Sequence, residues 1–184
     1  MILGLDISTS STGWSIIDKD GILVDQGFID LSKKKTLFEK AKVVKNKLVS
    51  LQCVLNIQKV FIEENLQAFR SGFSSAKTIS TLAKFNGIVS YICFEEFYLD
   101  PQFLNVNSAR KSLNIKIERE KICGVSTKQQ VLNWTIEQLS NTSYEWPVKI
   151  LRSGPRKGMQ IQHPACFDIA DAYVIAQSGF KMNK

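Results

Sequence analysis

The sequence predicts an α/β fold, a mixed five-stranded sheet flanked by helices. Three observations lead there. The first thirty residues hold three short apolar runs joined by tight polar connections, as in an antiparallel meander. Beyond them, stretches with helical apolar spacing alternate with short apolar runs, which calls for crossover connections and a partly parallel sheet. The chain has 184 residues, a length that fits one domain (1–184) with a sizeable core.

Residues 2–7, 13–18 and 22–30 read as strands, and Asp18-Lys19-Asp20-Gly21 is a strong turn signal between the second and third. The first connection, Ser8-Thr9-Ser10-Ser11-Thr12-Gly13, is small and polar throughout. From residue 36 to 55, Leu37, Ala41, Val44, Leu48 and Leu51 recur at helical spacing opposite Lys40, Lys42, Lys45 and Lys47, an amphipathic helix. Residues 59–63 form a buried-type strand. Ser74 or Ser75 is placed to cap a second long helix that runs to about Phe97. Its apolar residues (Ala76, Ile79, Leu82, Ala83, Ile88, Val89, Ile92, Cys93) suit either an isologous dimer interface or a buried core helix. A strand at 102–106 and a short helix near 108–113 follow. Ser126 then opens a helix through Leu139 with Val131, Leu132 and Ile136 on its apolar side. Residues 140–162 are polar, basic and rich in Gly and Pro, which predicts a long surface loop. The last helix runs from about residue 165 to 179.

Composition narrows the partners. A net charge of +7 and a pI near 9.2 point to a polyanion, nucleic acid being the simplest, although a basic protein without such a partner has the same composition. The four cysteines (Cys53, Cys93, Cys123, Cys166) contain no C-x-x-C pair, so neither a zinc site nor a disulfide framework is expected. No run approaches the roughly 18 apolar residues of a membrane span, and residue 2 already begins a strand where a signal peptide would lie. The chain reads as intracellular, cytoplasmic or nucleoid-associated if prokaryotic or phage-encoded.

Four carboxylates carry the chemistry. Asp6 ends the apolar run Ile2-Leu3-Gly4-Leu5, and Glu63 ends Val60-Phe61-Ile62. Asp168 and Asp171 lie three apart, on one helix face, at the head of the apolar segment 167–176. Like charges brought together from strand ends and one helix turn need a cation between them. Hard oxygen donors favour Mg²⁺ or Mn²⁺, the ions of phosphoryl-transfer sites. A metal-dependent nuclease is the leading expectation. The plainer alternatives are a turn aspartate at 6, a surface strand end at 63, and helix-dipole complements at 168 and 171 worth roughly 0.3–1 kcal/mol each.

With these residues in view, the chain resembles the RuvC-like branch of the ribonuclease H-like superfamily. Leu3-Gly4-Leu5-Asp6-Ile7-Ser8-Thr9-Ser10-Ser11-Thr12-Gly13-Trp14-Ser15 is similar to the first motif, and Phe61-Ile62-Glu63-Glu64 to the second. Thr127-Lys128-Gln129-Gln130-Val131 resembles the lysine segment of the resolvases, and Asp168-Ile169-Ala170-Asp171-Ala172 the final D-x-x-D-A motif. The motifs fall in family order and span nearly the whole chain. The resemblance implies a strand order that sets Asp6 beside Glu63. It also implies a homodimeric endonuclease that resolves four-way (Holliday) DNA junctions by paired symmetric nicks, with Mg²⁺ or Mn²⁺, two ions per site, held by Asp6, Glu63, Asp168 and Asp171. Lys128 would stabilise the phosphate. The strand before the lysine segment carries a further basic residue in such resolvases. Asn107 stands there in this chain, leaving Arg110 or Lys111 for that contact.

Several residues keep two readings. Glu63 is preferred to Glu64, which alternation sends to the opposite side of the strand. Phe69, Arg70 and Phe73 sit in a small-residue loop suited to stacking on unpaired bases, unless the phenylalanines fold into the core. Lys149, Arg152, Arg156 and Lys157 are the candidates for gripping backbone phosphates, ahead of the solvated run Lys33-Lys34-Lys35. His163 is either a structural loop residue or an aid to metal or water. The Ser8–Ser11 hydroxyls serve a tight turn or a phosphate. The competing functions are a nuclease of the same fold acting on RNA–DNA hybrids or flaps, and a non-catalytic nucleic-acid-binding module. An actin-like ATPase or sugar kinase, whose phosphate loop Gly4-Leu5-Asp6 also resembles, needs two such domains. Neither a small-molecule substrate nor a membrane is expected.

Overall fold

The computed structural model describes residues 1–64 and 76–182. Its elements run β1 (Ile2–Ile7), β2 (Ser11–Ile17), β3 (Leu23–Asp30), α1 (Leu37–Leu55), β4 (Lys59–Glu63), α2 (Ala76–Phe97), β5 (Gln102–Leu104), α3 (Val106–Ser112), α4 (Glu120–Cys123), α5 (Thr127–Gln138), β6 (Val148–Ile150), β7 (Gln160–Gln162) and α6 (Cys166–Met182). The main sheet has the order β3-β2-β1-β4-β5, mixed as expected: β1 is antiparallel to β2 and parallel to β4. β1 is thus central, the position in which both strand faces are buried, and its apolar residues meet that demand.

Alternation along the strands divides the core. Leu3, Leu5, Ile7, Trp14, Ile16, Val60 and Ile62 pack with α1 and α2 on one face. Ile2, Ile17 and Phe61 pack with α3, α5 and α6 on the other. Residues two apart share a face, so Asp6 follows Ile2 and Gly4 to the α6 side, Glu63 follows Phe61 there, and Glu64 is directed away. The first residue of α6 to reach the site, Asp168, is brought in because β2 presents a glycine: a Cβ on Gly13 would overlap the Asp168 carbonyl. Gly4 does the same for Ala172 and Ala176 further along the helix.

Capping sets several boundaries. Thr36 and Glu39 form a capping box at α1, and Ser126 accepts from the Gln129 amide at α5. Asn105 accepts from the Asn107 and Ser108 amides, so α3 begins at Val106 and β5 stops at Leu104, earlier than residues 108 and 106 expected from sequence. The segment 140–162 is corrected from a loop to a hairpin. Val148↔Gln162 and Ile150↔Gln160 pair antiparallel, and Gly154 and Gly158, both at positive φ, shape the turn. The short α4 has no counterpart in the sequence pattern. The four cysteines are unbridged. Among the described residues no helix is long and apolar enough to cross a membrane.

Candidate active site

The sheet register brings the first two carboxylates together. Leu5 faces Ile62 across the parallel β1–β4 pair, so Asp6 and Glu63 leave adjacent strand ends on the same face. Asp171 arrives on the second turn of α6. One carboxylate oxygen each from Asp6, Glu63 and Asp171 lie within 4.8 Å of one another. Asp171 is buried, and Asp6 and Glu63 are half-buried.

Crowding shows in their acidity. Burial, then the charges of Glu63, Asp171 and Asp168, push the Asp6 carboxyl well above the ordinary range. Burial first, then Asp171, raises Glu63 to about 7. Burial also raises Asp171, against the opposing pull of Arg110. Three carboxylates that resist ionising together make a site that a hard divalent cation fits: oxygen donors only, close enough to share an ion, and short of positive charge.

Asp168 lies one turn earlier on α6. It is half-buried and near enough for its charge to act on the other three carboxylates, although its oxygens fall outside the close trio. Lys128, exposed near the start of α5, lowers the pKa of all three. Sequence motifs separated by more than 160 residues therefore meet in one place.

Arg110 points into the carboxylate cluster. Its guanidinium is turned inward and donates to Asp171 Oδ1 at 3.2 Å, with only 15% of its side chain exposed. Lys111, its neighbour, is exposed. Asn107, in place of the basic residue, lines a cleft of about 380 Å³ with Arg110, Lys111 and Lys116. Sequence reasoning names Arg110 but not its direction. The signal is the short helix after β5, which returns the chain from the sheet edge onto α6, where Ser112 meets Ser178 at 2.9 Å.

The remaining candidates divide cleanly. Lys149, Arg152, Arg156 and Lys157 are all exposed on the β6–β7 hairpin and its turn. Phe69, Arg70 and Phe73 lie outside the described residues. His163 stacks on Phe28 with ring centroids 4.9 Å apart, and its Nδ1 accepts from the Ala165 amide at 3.1 Å, contacts that fasten the hairpin base to β3. The Ser8 hydroxyl donates to the Ser11 carbonyl at 2.7 Å and accepts from the Ser11 amide at 3.2 Å, while Lys40 donates to the Thr9 carbonyl. These bonds are turn chemistry.

An α/β sheet of order β3-β2-β1-β4-β5 with carboxylates at the ends of its two central neighbours is the RuvC-like form of the ribonuclease H-like fold. In three dimensions the chain is similar to Thermus thermophilus RuvC in complex with Holliday junction substrate, with a TM-score of 0.67 at 14% identity over 99% of this chain and 94% of that one. A second Thermus thermophilus RuvC structure gives 0.62 at 15% identity, covering 99% and 95%. The yeast mitochondrial Holliday junction resolvase Ydc2 gives 0.53 at 17%, covering 98% and 77%. No protein-family model matches the sequence, and no curated protein matches it.

Proposed function

We propose that this chain is a single-domain, metal-dependent endonuclease that resolves four-way DNA junctions. The convergence of Asp6, Glu63 and Asp171 within 4.8 Å carries the reading. The junction-resolving neighbours of the same fold support the substrate. Asp6, Glu63 and Asp171 would hold Mg²⁺ or Mn²⁺, with Asp168 adding negative charge from the rim. A bound divalent pair supplies an activated water and charge neutralisation at the phosphate. Lys128, free to approach from solvent, would balance charge developing on the phosphate oxygens. The exposed cations Lys111, Lys149, Arg152, Arg156 and Lys157 would hold the sugar-phosphate backbone. In a homodimer, two such sites about a two-fold axis would nick opposing strands symmetrically. The protein would act on intracellular DNA.

The test is cleavage of a labelled four-way junction with Mg²⁺ or Mn²⁺, beside duplex, flap and RNA–DNA hybrid controls. Paired symmetric nicks that Asp6→Asn abolishes, while junction binding survives, are the expected result. Cutting confined to the hybrid or flap would overturn the substrate, and no metal-dependent cutting of any of them would overturn the nuclease reading.

A further inference from the structure

Arg110 is a cation inside a site built to bind cations. Its helix is fixed independently of the carboxylates: Ala109 is buried, Ser112 meets Ser178, and Lys181 donates to the Ser112 carbonyl at 3.0 Å. The guanidinium is nevertheless held loosely. Its one bond to Asp171 is 3.2 Å, longer than the roughly 2.7–2.9 Å of strong charge-assisted pairs, and it engages a single carboxylate oxygen rather than two. Its Nε is buried with no hydrogen-bond partner. Arginine–carboxylate pairs are frequently bidentate. This one is not, and the adjoining cleft lined by Asn107, Lys111 and Lys116 gives the side chain room to withdraw.

Arg110 lies close enough for its charge to act on Glu63 and Asp171, and it touches Asp171 directly, whereas Lys128 acts on the trio from solvent. The guanidinium and a metal ion ask for the same oxygen, because Asp171 is both its partner and one of the close trio.

We propose that Arg110 is a built-in counter-cation that competes with divalent metal for Asp171, and thereby sets the metal concentration at which the site fills. This rests on the reading of the trio as a metal site. Arg110 is a positioning residue here; it acts through Asp171.

The experiment is titration of the full-length protein with Mn²⁺ alone, followed by calorimetry and by the spin-resonance signal of free Mn²⁺, for wild type, Arg110→Gln, Arg110→Lys and Asp6→Asn. Arg110→Gln keeps a donor for Asp171 but loses the charge, and is expected to bind Mn²⁺ at least tenfold more tightly. Arg110→Lys, which keeps the charge, should stay within about threefold of wild type and also serves if the glutamine variant fails to fold. Asp6→Asn should bind more weakly. Unfolding by urea without metal gives a second readout: Arg110→Gln and Asp171→Asn should be non-additive, the double variant being more stable than the sum of the single losses implies. Unchanged or weaker Mn²⁺ binding by Arg110→Gln, with wild type binding normally, would overturn the competition and leave the metal site standing. Mn²⁺ binding by none of the proteins would remove the metal site and this proposal with it.

Discussion

Gly13 lies directly beneath the backbone of Asp168: a Cβ at position 13 would overlap the Asp168 carbonyl and stand 2.9 Å from the Ile169 amide nitrogen. Gly13 is also the cross-strand partner of Asp6. One missing side chain therefore sets the distance between β2, the neighbour of the central strand, and the helix that carries two of the carboxylates. Gly13→Ala must push α6 outward at the site, because the obstacle is backbone and has no rotamer to change. Overpacking of this kind costs about 1–3 kcal/mol, and a displacement near 1 Å costs reactions about a hundredfold. We expect the variant to fold, to melt earlier in urea, and to lose junction cleavage by about two orders of magnitude. Wild-type cleavage by Gly13→Ala would show that the helix spacing is irrelevant to the site.

The acidity of Glu63 makes a pH prediction. Its carboxyl titrates near 7 in the folded chain and near 4.5 when unfolded. Between those values the folded state binds more protons than the unfolded state. Stability without metal therefore falls as pH rises from about 4.5 to about 7, and the loss is complete above the folded value. Partial burial makes the loss on the order of 1–3 kcal/mol. Glu63→Gln removes this titration, so its stability should decline less over the same window. Urea midpoints at pH 5 and pH 7.5 for both proteins decide it, and equal declines would remove Glu63 as the source.

How the sequence encodes this arrangement differs from part to part. β1 and β4 are legible as unbroken apolar runs and α1 by its helical spacing, and Asp6 and Glu63 stand where those runs end in a charge. Position within the sheet is not legible: that β1 lies between β2 and β4 depends on a pairing of β1 with β4 between residues 57 apart, which enters through resemblance rather than pattern. The hairpin at 148–162 is obscured because three-residue strands with exposed faces carry almost no periodicity. The apolar residues of α2 leave its buried side ambiguous. Val89, Ile92 and Cys93, which suit an interface as well as a core, are buried in the core, whereas Tyr91, Phe94 and Tyr98 point outward. Apolar content alone does not say which side of a helix a sheet will cover.

The β6–β7 hairpin carries a prediction that salt can read. From residue 146 to 167 the chain has Lys149, Arg152, Arg156 and Lys157 and no acidic residue. A two-stranded sheet is marginal by itself in water, and this one is joined to the body at its base, where the His163 amide donates to the Pro147 carbonyl at 2.9 Å. The salt slope of the log binding constant shrinks by about 0.9 for each B-form DNA phosphate that a protein ceases to neutralise. Changing all four cations to Gln should therefore reduce the slope for a four-way junction by about 3 to 4, with Mn²⁺ binding unchanged. A change below about 1 would place the hairpin off the DNA.

Dimerisation makes the last prediction, and it follows from where α2 is bare. Ala83, Gly87, Tyr91 and Phe94 succeed one another at helical intervals along one exposed stripe of α2, with the exposed Tyr98 just past the helix end. Tyr91 is 59% exposed and Phe94 50%, beside a groove lined by Leu37, Phe38, Gly87 and Ile88. A contiguous apolar stripe on one helix suits a self-complementary contact, in which the same surface serves both copies about a two-fold axis. Phe94→Asp places a charge at the middle of such a contact and leaves the monomer core untouched, since Phe85, Val89 and Cys93 fill that side of the helix. Sedimentation should show wild type as a dimer and Phe94→Asp as a monomer with unchanged metal binding. The functional consequence is specific: the monomer should still nick a junction, but the two nicks should become uncorrelated and resolved products should lag behind nicked ones. A wild type that cuts in paired fashion while sedimenting as a monomer, or a Phe94→Asp dimer, would place the symmetry axis somewhere other than α2.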